Sequence, residues 1–241
     1  GVQTTRDAND LDLFGGADSY VFNENLIISL SLIKGDTAFK PPDYEFRLTP
    51  IINFNHVEVE ENRVLKADPR LGRHRSDRHI ALAEAFFDYH IRNVSDRYDF
   101  DSVRIGIQPF SSDFRGFLFQ DSQLGIRFFG DRDNNIFQYN LAWFRRLEKD
   151  TNSLLNHIER KIRDDDIFIA NLYWQDFPVL GFQSQVTGIY NRNNEAGDFF
   201  FNDNEFIERP ASFGSERGRN YDVVYLGYNG DGHFDRLNLT T

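Results

Sequence analysis

A chain of 241 residues with 38 acidic and 27 basic side chains carries a net charge of −11 and a pI near 5.0. That balance is wrong for a nucleic-acid surface, which needs clustered Lys and Arg, although it suits solvent exposure and divalent cations. With no cysteine, a disulfide frame, a thiolate metal site and a Cys nucleophile are excluded. The length fits a single β domain over residues 1–241. The sequence has no run of about 18 apolar residues, which excludes a transmembrane helix but not a transmembrane β-barrel, because average hydropathy is blind to alternating strands.

Period-two alternation predicts ten strands. The first, about 19–33, sets Tyr20, Phe22, Leu26, Ile28, Leu30 and Leu32 against Asn23, Asn25, Ser29 and Ser31. The second, 44–56, sets Tyr44, Phe46, Leu48, Ile52 and Phe54 against Glu45, Arg47, Asn53 and Asn55. In the third, near 79–92, Ala81, Ala83, Ala85, Phe87, Tyr89 and Ile91 oppose Glu84, Asp88, His90 and Arg92. The fourth, 101–110, alternates Val103, Ile105 and Ile107 with Arg104 and Gln108. The fifth and sixth (123–130, 135–147) put Leu124, Ile126, Phe128, Phe137, Tyr139, Leu141 and Trp143 on one side, with Gln123, Arg127, Gln138 and Asn140 on the other. The seventh (166–176) shows Phe168, Ala170, Leu172 and Trp174, and the eighth (181–191) opposes Phe182, Val186 and Tyr190 to Gln183, Gln185, Thr187 and Asn191. The last two are expected at 221–228 and 233–241, joined by a hairpin at NGDG, 229–232.

Alternation alone leaves the wet side open: a soluble sandwich or barrel buries the apolar face, whereas an outer-membrane barrel turns it to lipid. The connections are more informative. Short and long alternate along the whole chain, as they do when tight turns occupy one rim of an up-and-down barrel and long loops the other. Aromatics make up 15% of the residues, and Tyr20, Tyr44, Tyr89, Trp143, Trp174 and Tyr190 fall near strand ends, where interfacial girdles would place them. TNSLLNHIERKI, 151–162, has Leu154, Leu155, Ile158 and Ile162 at helical spacing behind Asn152 or Ser153, which predicts a short helix inside a long loop.

The block FDSVRIGIQPFSSDFRGFLFQDSQLGIRFFGDRDNNIFQYNLAWFRRLEKDTNSLLN, 100–156, resembles outer-membrane porin-like proteins of Gram-negative bacteria, of the alginate-export-like or substrate-selective kind. The likeness continues through DDDIFIANLYWQDFPVLGFQSQVTGIYNRNNE and YNGDGHFDRLNLTT, about two-thirds of the chain, and lies in texture rather than in a residue signature. It implies an all-β, antiparallel up-and-down transmembrane barrel of more strands than these ten. The chain opens without a secretory leader, and HFDRLNLTT stops within an expected strand, so the barrel is expected to be incomplete at both ends.

If the polar faces line a channel, they present Arg47, Arg92, Arg104 and Arg127 with Glu45, Glu84 and Asp88, and Gln108 and Gln123 lie beside the middle arginines. Opposed charges across a constriction select permeating ions by charge, and a basic stripe of Arg104 and Arg127 would favour anions. The competing reading, equally weighted, is that these are salt bridges stiffening the wall. GDRDNN, RDDD and NGDG are oxygen-rich, yet Asp, Asn and Gly are what tight turns require. His74 and His79 belong to the arginine-rich stretch RLGRHRSDRH, suited to lipopolysaccharide phosphates rather than to a metal. No hydrolase or phosphate-loop motif is present. The expectation is a non-enzymatic outer-membrane porin without cofactor, in contact with lipid and lipopolysaccharide, passing small hydrophilic solutes. The alternatives are a soluble β-sandwich or barrel that binds carbohydrate or another ligand, and the barrel of a gated transporter.

Overall fold

A computed structural model describes residues 19–35, 41–59, 74–151, 153–160, 162–201, 209, 217–234 and 237–240. Eleven strands run as β1 (Ser19–Ile27), β2 (Leu30–Lys34), β3 (Tyr44–Val59), β4 (His74–Asn93), β5 (Phe100–Ser111), β6 (Gln120–Arg132), β7 (Phe137–Arg145), β8 (Asp165–Gln175), β9 (Phe182–Asn193), β10 (Tyr221–Phe234) and β11 (Leu237–Thr240). They form one antiparallel meander in which, from β3 to β11, each strand pairs with the next in sequence, while β1 and β2 lie one after the other along the free side of β3. The sheet is open. No pairing joins β1 or β2 to β11 among the described residues, so the expected antiparallel up-and-down order is present while the sheet is not closed into a barrel.

The predicted strands are present, with differences that have local causes. The first splits because Pro50 of β3 has no N–H to give the ladder. β1 stops where Ile27 faces Ile51, and β2 resumes where Leu30 faces Leu48. Ala81 is on the other face from the one predicted: a register shift between Thr49 and Pro50, against β4 at Ala83, moves it to the side of Arg75, Asp77 and His79, fully buried. The hairpin expected at NGDG is absent, because Asn229–Gly232 continue β10 opposite Gln185–Phe182. Gly232 is needed there for close approach: a Cβ on it would come within 2.5 Å of the Gly181 carbonyl oxygen.

Residues 151–162 are not helical where described. Leu154 has φ +61°, and the Asp150 carboxylate accepts the backbone N–H and the hydroxyl of Ser153, both at 2.7 Å. A bridge pairs Lys149 with Asn156. The competition by a short polar side chain for backbone donors outweighs the helical spacing of the leucines. Asn152 and Lys161 lie outside the described residues.

Burial follows the strand period with the usual sign reversed. Phe46, Ile52 and Phe54 of β3 are exposed while Asn53 and Asn55 are buried. Leu141 (54% exposed) and Val186 (59%) contrast with Gln108, Gln185 and Thr187 (each 0%). We call the buried polar side the inner face and the apolar side the outer face. Apolar residues also reach the inner face: Phe110, Phe119, Ala142, Phe144, Ile167, Ile169 and Ile189 form one cluster with Leu118 packed against it, and Ile51, Val57, Ala81 and Phe86 are buried on β3 and β4.

The sheet must curl to allow this. The Ser112 carbonyl, one residue past β5, accepts hydrogen bonds from Asn171 of β8 (3.1 Å) and from Gln185 (2.7 Å) and Thr187 (2.9 Å) of β9. In a flat sheet β5 and β9 would stand about 19 Å apart, at about 4.8 Å per strand, beyond the reach of one residue and one side chain. Strands β5–β9 therefore curl into a trough.

Gly106 of β5 has φ +125°, and a Cβ there would meet the Ala85 carbonyl oxygen and Phe86 Cα. Gly188 has only Leu226 Cδ2 near, at 3.7 Å. Gly106→Ala should lower unfolding stability by about 2 kcal/mol or more, from backbone strain plus the clash, whereas Gly188→Ala should change it by less than about 0.5 kcal/mol; urea or heat titration of the two variants checks the contrast.

Candidate functional site

The polar inner face and two loops that fold onto it make the candidate site. Because the strands alternate in direction, the strand ends flanking 60–73, 112–119, 146–164 and 194–220 share one rim, the long rim, and those flanking 35–43, 94–99, 133–136 and 176–181 share the other, the short rim. Both inward loops come from the long rim.

The β5–β6 loop is held by its own Asp113, which accepts the N–H groups of Arg115 (3.1 Å), Phe117 (3.0 Å) and Leu118 (3.0 Å) and the Ser112 hydroxyl (3.1 Å). Burial opposes ionisation of Asp113, but these four donors outweigh it and hold the carboxyl below the usual range. The β7–β8 loop crosses the other way. Asn156 donates to the carbonyls of Leu82 and Ser122, each at 2.9 Å, His157 bridges to Ala81, and Asp150 lies 3.8 Å from Arg75 and 3.4 Å from Asn55. At the rim, Arg163 holds Glu195 (2.7 Å) and Asp165 (3.2 Å), and Arg209 reaches Glu148 (2.8 Å), so two long loops are tied by ion pairs.

Between the loops runs a ladder of cations. Arg47 bonds Glu45 at 2.6 Å and lies 3.8 Å from Glu84, which also accepts from Thr49 at 3.1 Å. Arg104 grips Asp88 at 2.7 Å and lies over the Phe86 ring, 4.2 Å from its centroid. Arg127 stands directly opposite Arg104 across β5 and β6. It donates to the neutral Asn140 (2.6 Å) and lies over Phe129 (4.3 Å) and Phe110 (5.1 Å). Two like charges facing each other across a strand pair destabilise it by several tenths of a kcal/mol, and the aromatic faces offset part of that.

The structure thus brings together seven of the nine sequence-predicted residues, Glu45, Arg47, Glu84, Asp88, Arg104, Gln108 and Gln123, with Arg127 an eighth on the same face. Gln108 and Gln123 are buried in the wall: Gln108 donates to the Arg104 and Gly125 carbonyls, and Gln123 accepts the Leu147 N–H at 2.6 Å. Arg92 is elsewhere. A second register shift between His90 and Arg92 turns it to the outer face, where it pairs with Asp101 at 2.8 Å beside Arg132 and Tyr139. Sequence reasoning missed Ser112, Asp113, Asp150, Asn156 and His157; the Ser-Asp pair opening the β5–β6 loop, a turn-forming dipeptide, was the available signal.

The outer face is organised by height. Aromatics gather in two rows: Tyr44, Phe87, Tyr89, Phe137 and Trp174 toward the short rim, and Phe168 with Tyr190 toward the long one. Trp143, beside Phe168, donates its Nε1–H to Asp166 at 3.0 Å, and the Tyr190 hydroxyl donates to Asp222 at 3.2 Å, both toward the long rim. On β3 the belt spans Phe46 to Phe54, eight steps of about 3.3 Å or about 26 Å along the strand, before any tilt.

Compared with known proteins, the chain matches no family model and no curated protein.

His157 stacks on His79, rings 4.6 Å apart and 7° from parallel. Burial, then His79 and Arg160, push its pKa below the ordinary 6.5, against the smaller opposing effects of Glu159 and Asp77. Unfolded chain thus binds a proton that the folded loop resists, so the loop's stability is complete above pH 6.5 and declines below it. Hydrogen-exchange protection of the His157 and Asp150 amides, which bond Glu148 and Leu155 carbonyls, should fall between pH 7 and 5 while that of β6 holds; His157→Gln should remove the difference.

Proposed function

We propose that this chain forms the wall of a Gram-negative outer-membrane β-barrel that passes small hydrophilic solutes, anions preferentially. The observation that supports the reading most is the inverted burial: large apolar side chains such as Ile52, Leu141 and Val186 cover the outer face while amides and carboxylates pack inside. In water such a continuous apolar belt far exceeds the few hundred Å² that soluble monomers leave bare. In a bilayer it is what the hydrocarbon requires, and the two aromatic rows fall where headgroups would meet it. A soluble ligand-binding sandwich would need a second layer on this face, and among the described residues none covers it.

Hydrocarbon does not tolerate an unpaired strand edge. Among the described residues the edge strands β1, β2 and β11 have no partner on their outer side, and in a membrane each such edge needs a strand to pair with. Anion preference rests on Arg127, whose guanidinium is bonded to an amide rather than a carboxylate, whereas Arg47 and Arg104 are paired with Glu45 and Asp88 and serve the wall. The inward loops set how much of the lumen is open, and so distinguish a standing pore from a gated barrel.

Planar-bilayer recording of the folded protein under a salt gradient tests the proposal. Stepwise ohmic openings are expected, with a reversal potential of the anion-selective sign that shifts toward cations in Arg127→Glu. Asp113→Ala, which releases the β5–β6 loop, should raise single-channel conductance. A folded, inserted protein that stays silent even in that variant would rule out a diffusion pore. Folding itself reads out as faster gel migration of the unheated than of the boiled sample, and protein that stays soluble without detergent would overturn the membrane reading.

A further inference from the structure

At the long rim of the outer face the apolar belt of β3 and β4 ends in polar residues. His56 and Glu58 are two apart on β3 and share that face; Ser76 lies directly opposite His56, and His74 directly opposite Glu58. His56 and His74 are thus diagonal neighbours, within reach of long side chains. The ligating atoms of His56, Glu58 and His74 all fall within 4.8 Å of one another. His74 Nδ1 is 3.5 Å from a Glu58 carboxylate oxygen, and His56 Nδ1 is 2.7 Å from the Ser76 hydroxyl.

We propose that His56, Glu58 and His74 bind a divalent transition-metal ion, with zinc the best match. Two imidazoles and one carboxylate suit a borderline ion such as zinc, whereas magnesium and calcium prefer all-oxygen shells. Tetrahedral zinc at about 2.0–2.1 Å from its ligands sets the donor atoms roughly 3.3 Å apart. The three side chains need to close by about 1.5 Å at most, and Glu58 and His74 are exposed and free to turn. Ser76 completes the arrangement: its hydroxyl engages His56 Nδ1 and orients the ring, the role outer-shell partners play for metal-bound histidines. Three protein ligands leave a fourth position for water. The ion would cross-link the two strand ends that flank the 60–73 connection, a clamp at the mouth of the trough. The site stands whether the outer wall faces lipid or water.

Titration of zinc chloride into the folded full-length chain in detergent, followed by calorimetry, tests the assignment. One ion per chain is expected, with affinity reduced at least about tenfold in His56→Ala and in His74→Ala, a smaller loss in Ser76→Ala, and no change in His233→Ala. Cobalt in place of zinc should give the visible bands of a tetrahedral site, and excess calcium should not displace either ion. Because the two histidines lie on the surface side of the sheet, heat-dependent gel migration of the variants should match the parent. Absence of zinc binding by the parent, or binding that persists unweakened in the double variant His56→Ala/His74→Ala, would overturn the proposal and leave an ordinary His74–Glu58 ion pair.

Discussion

A buried polar group must be hydrogen-bonded, and the whole molecule is arranged around that requirement. The face of the sheet that is shielded from solvent is the one rich in amides and carboxylates. Asn53 donates to Asn23 and Asn25, Arg127 to Asn140, and Asn140 to Asn171, so neighbouring strands are laced by side chains as well as by their ladders. The loops satisfy part of what the wall leaves open, although both ring nitrogens of His79 and the Ser102 hydroxyl stay buried without a hydrogen-bond partner among the described residues. The Ser112 carbonyl takes three donors from β8 and β9, and Asn156 caps two carbonyls at the edges of β4 and β6. Curling of the sheet, inward folding of the loops and placement of the apolar belt on the far side are three consequences of one accounting of donors and acceptors.

The same accounting shapes the electrostatics. Arginine dominates the inner cations because its planar fork bonds carboxylates sideways and still lies flat on aromatic rings. Arg104 does both, on Asp88 and on Phe86. Arg127 has the rings and an amide, and keeps its charge directed into the trough against a like neighbour. The loops supply the adjustable part. Their anchors are titratable groups, Asp113, Asp150 and His157, whose ionisation is shifted by the contacts that seat them.

Legibility in the sequence followed the range of the interaction responsible. Strand positions and their alternation depend on each residue's own neighbours, and Phe168, Ala170, Leu172 and Trp174 share a face as the period requires. Ala81 and Arg92 were misplaced because two register shifts, one at the Pro50 gap and one at Ile91, displace the period, and a bulge is a property of two paired strands. The spacing of Leu154, Leu155 and Ile158 suggested a helix, yet Asp150 captured the backbone donors that a helix would have used. NGDG has turn chemistry, but its glycines are needed for close strand contact with β9. The grouping of Arg47, Arg104 and Arg127 on one face was readable from parity; their partners were not, since Asp88, Asn140 and Phe86 meet them only through strand register.

The sequence by itself determined that this is an antiparallel β protein with two chemically distinct faces and loops sorted by length, because period and turn chemistry are local properties of the chain. Only the tertiary structure decided which face lies inside. An alternating strand is indifferent to inversion, and the choice is made when loops hundreds of atoms away satisfy the polar side and leave Phe46, Ile52, Leu141 and Val186 uncovered.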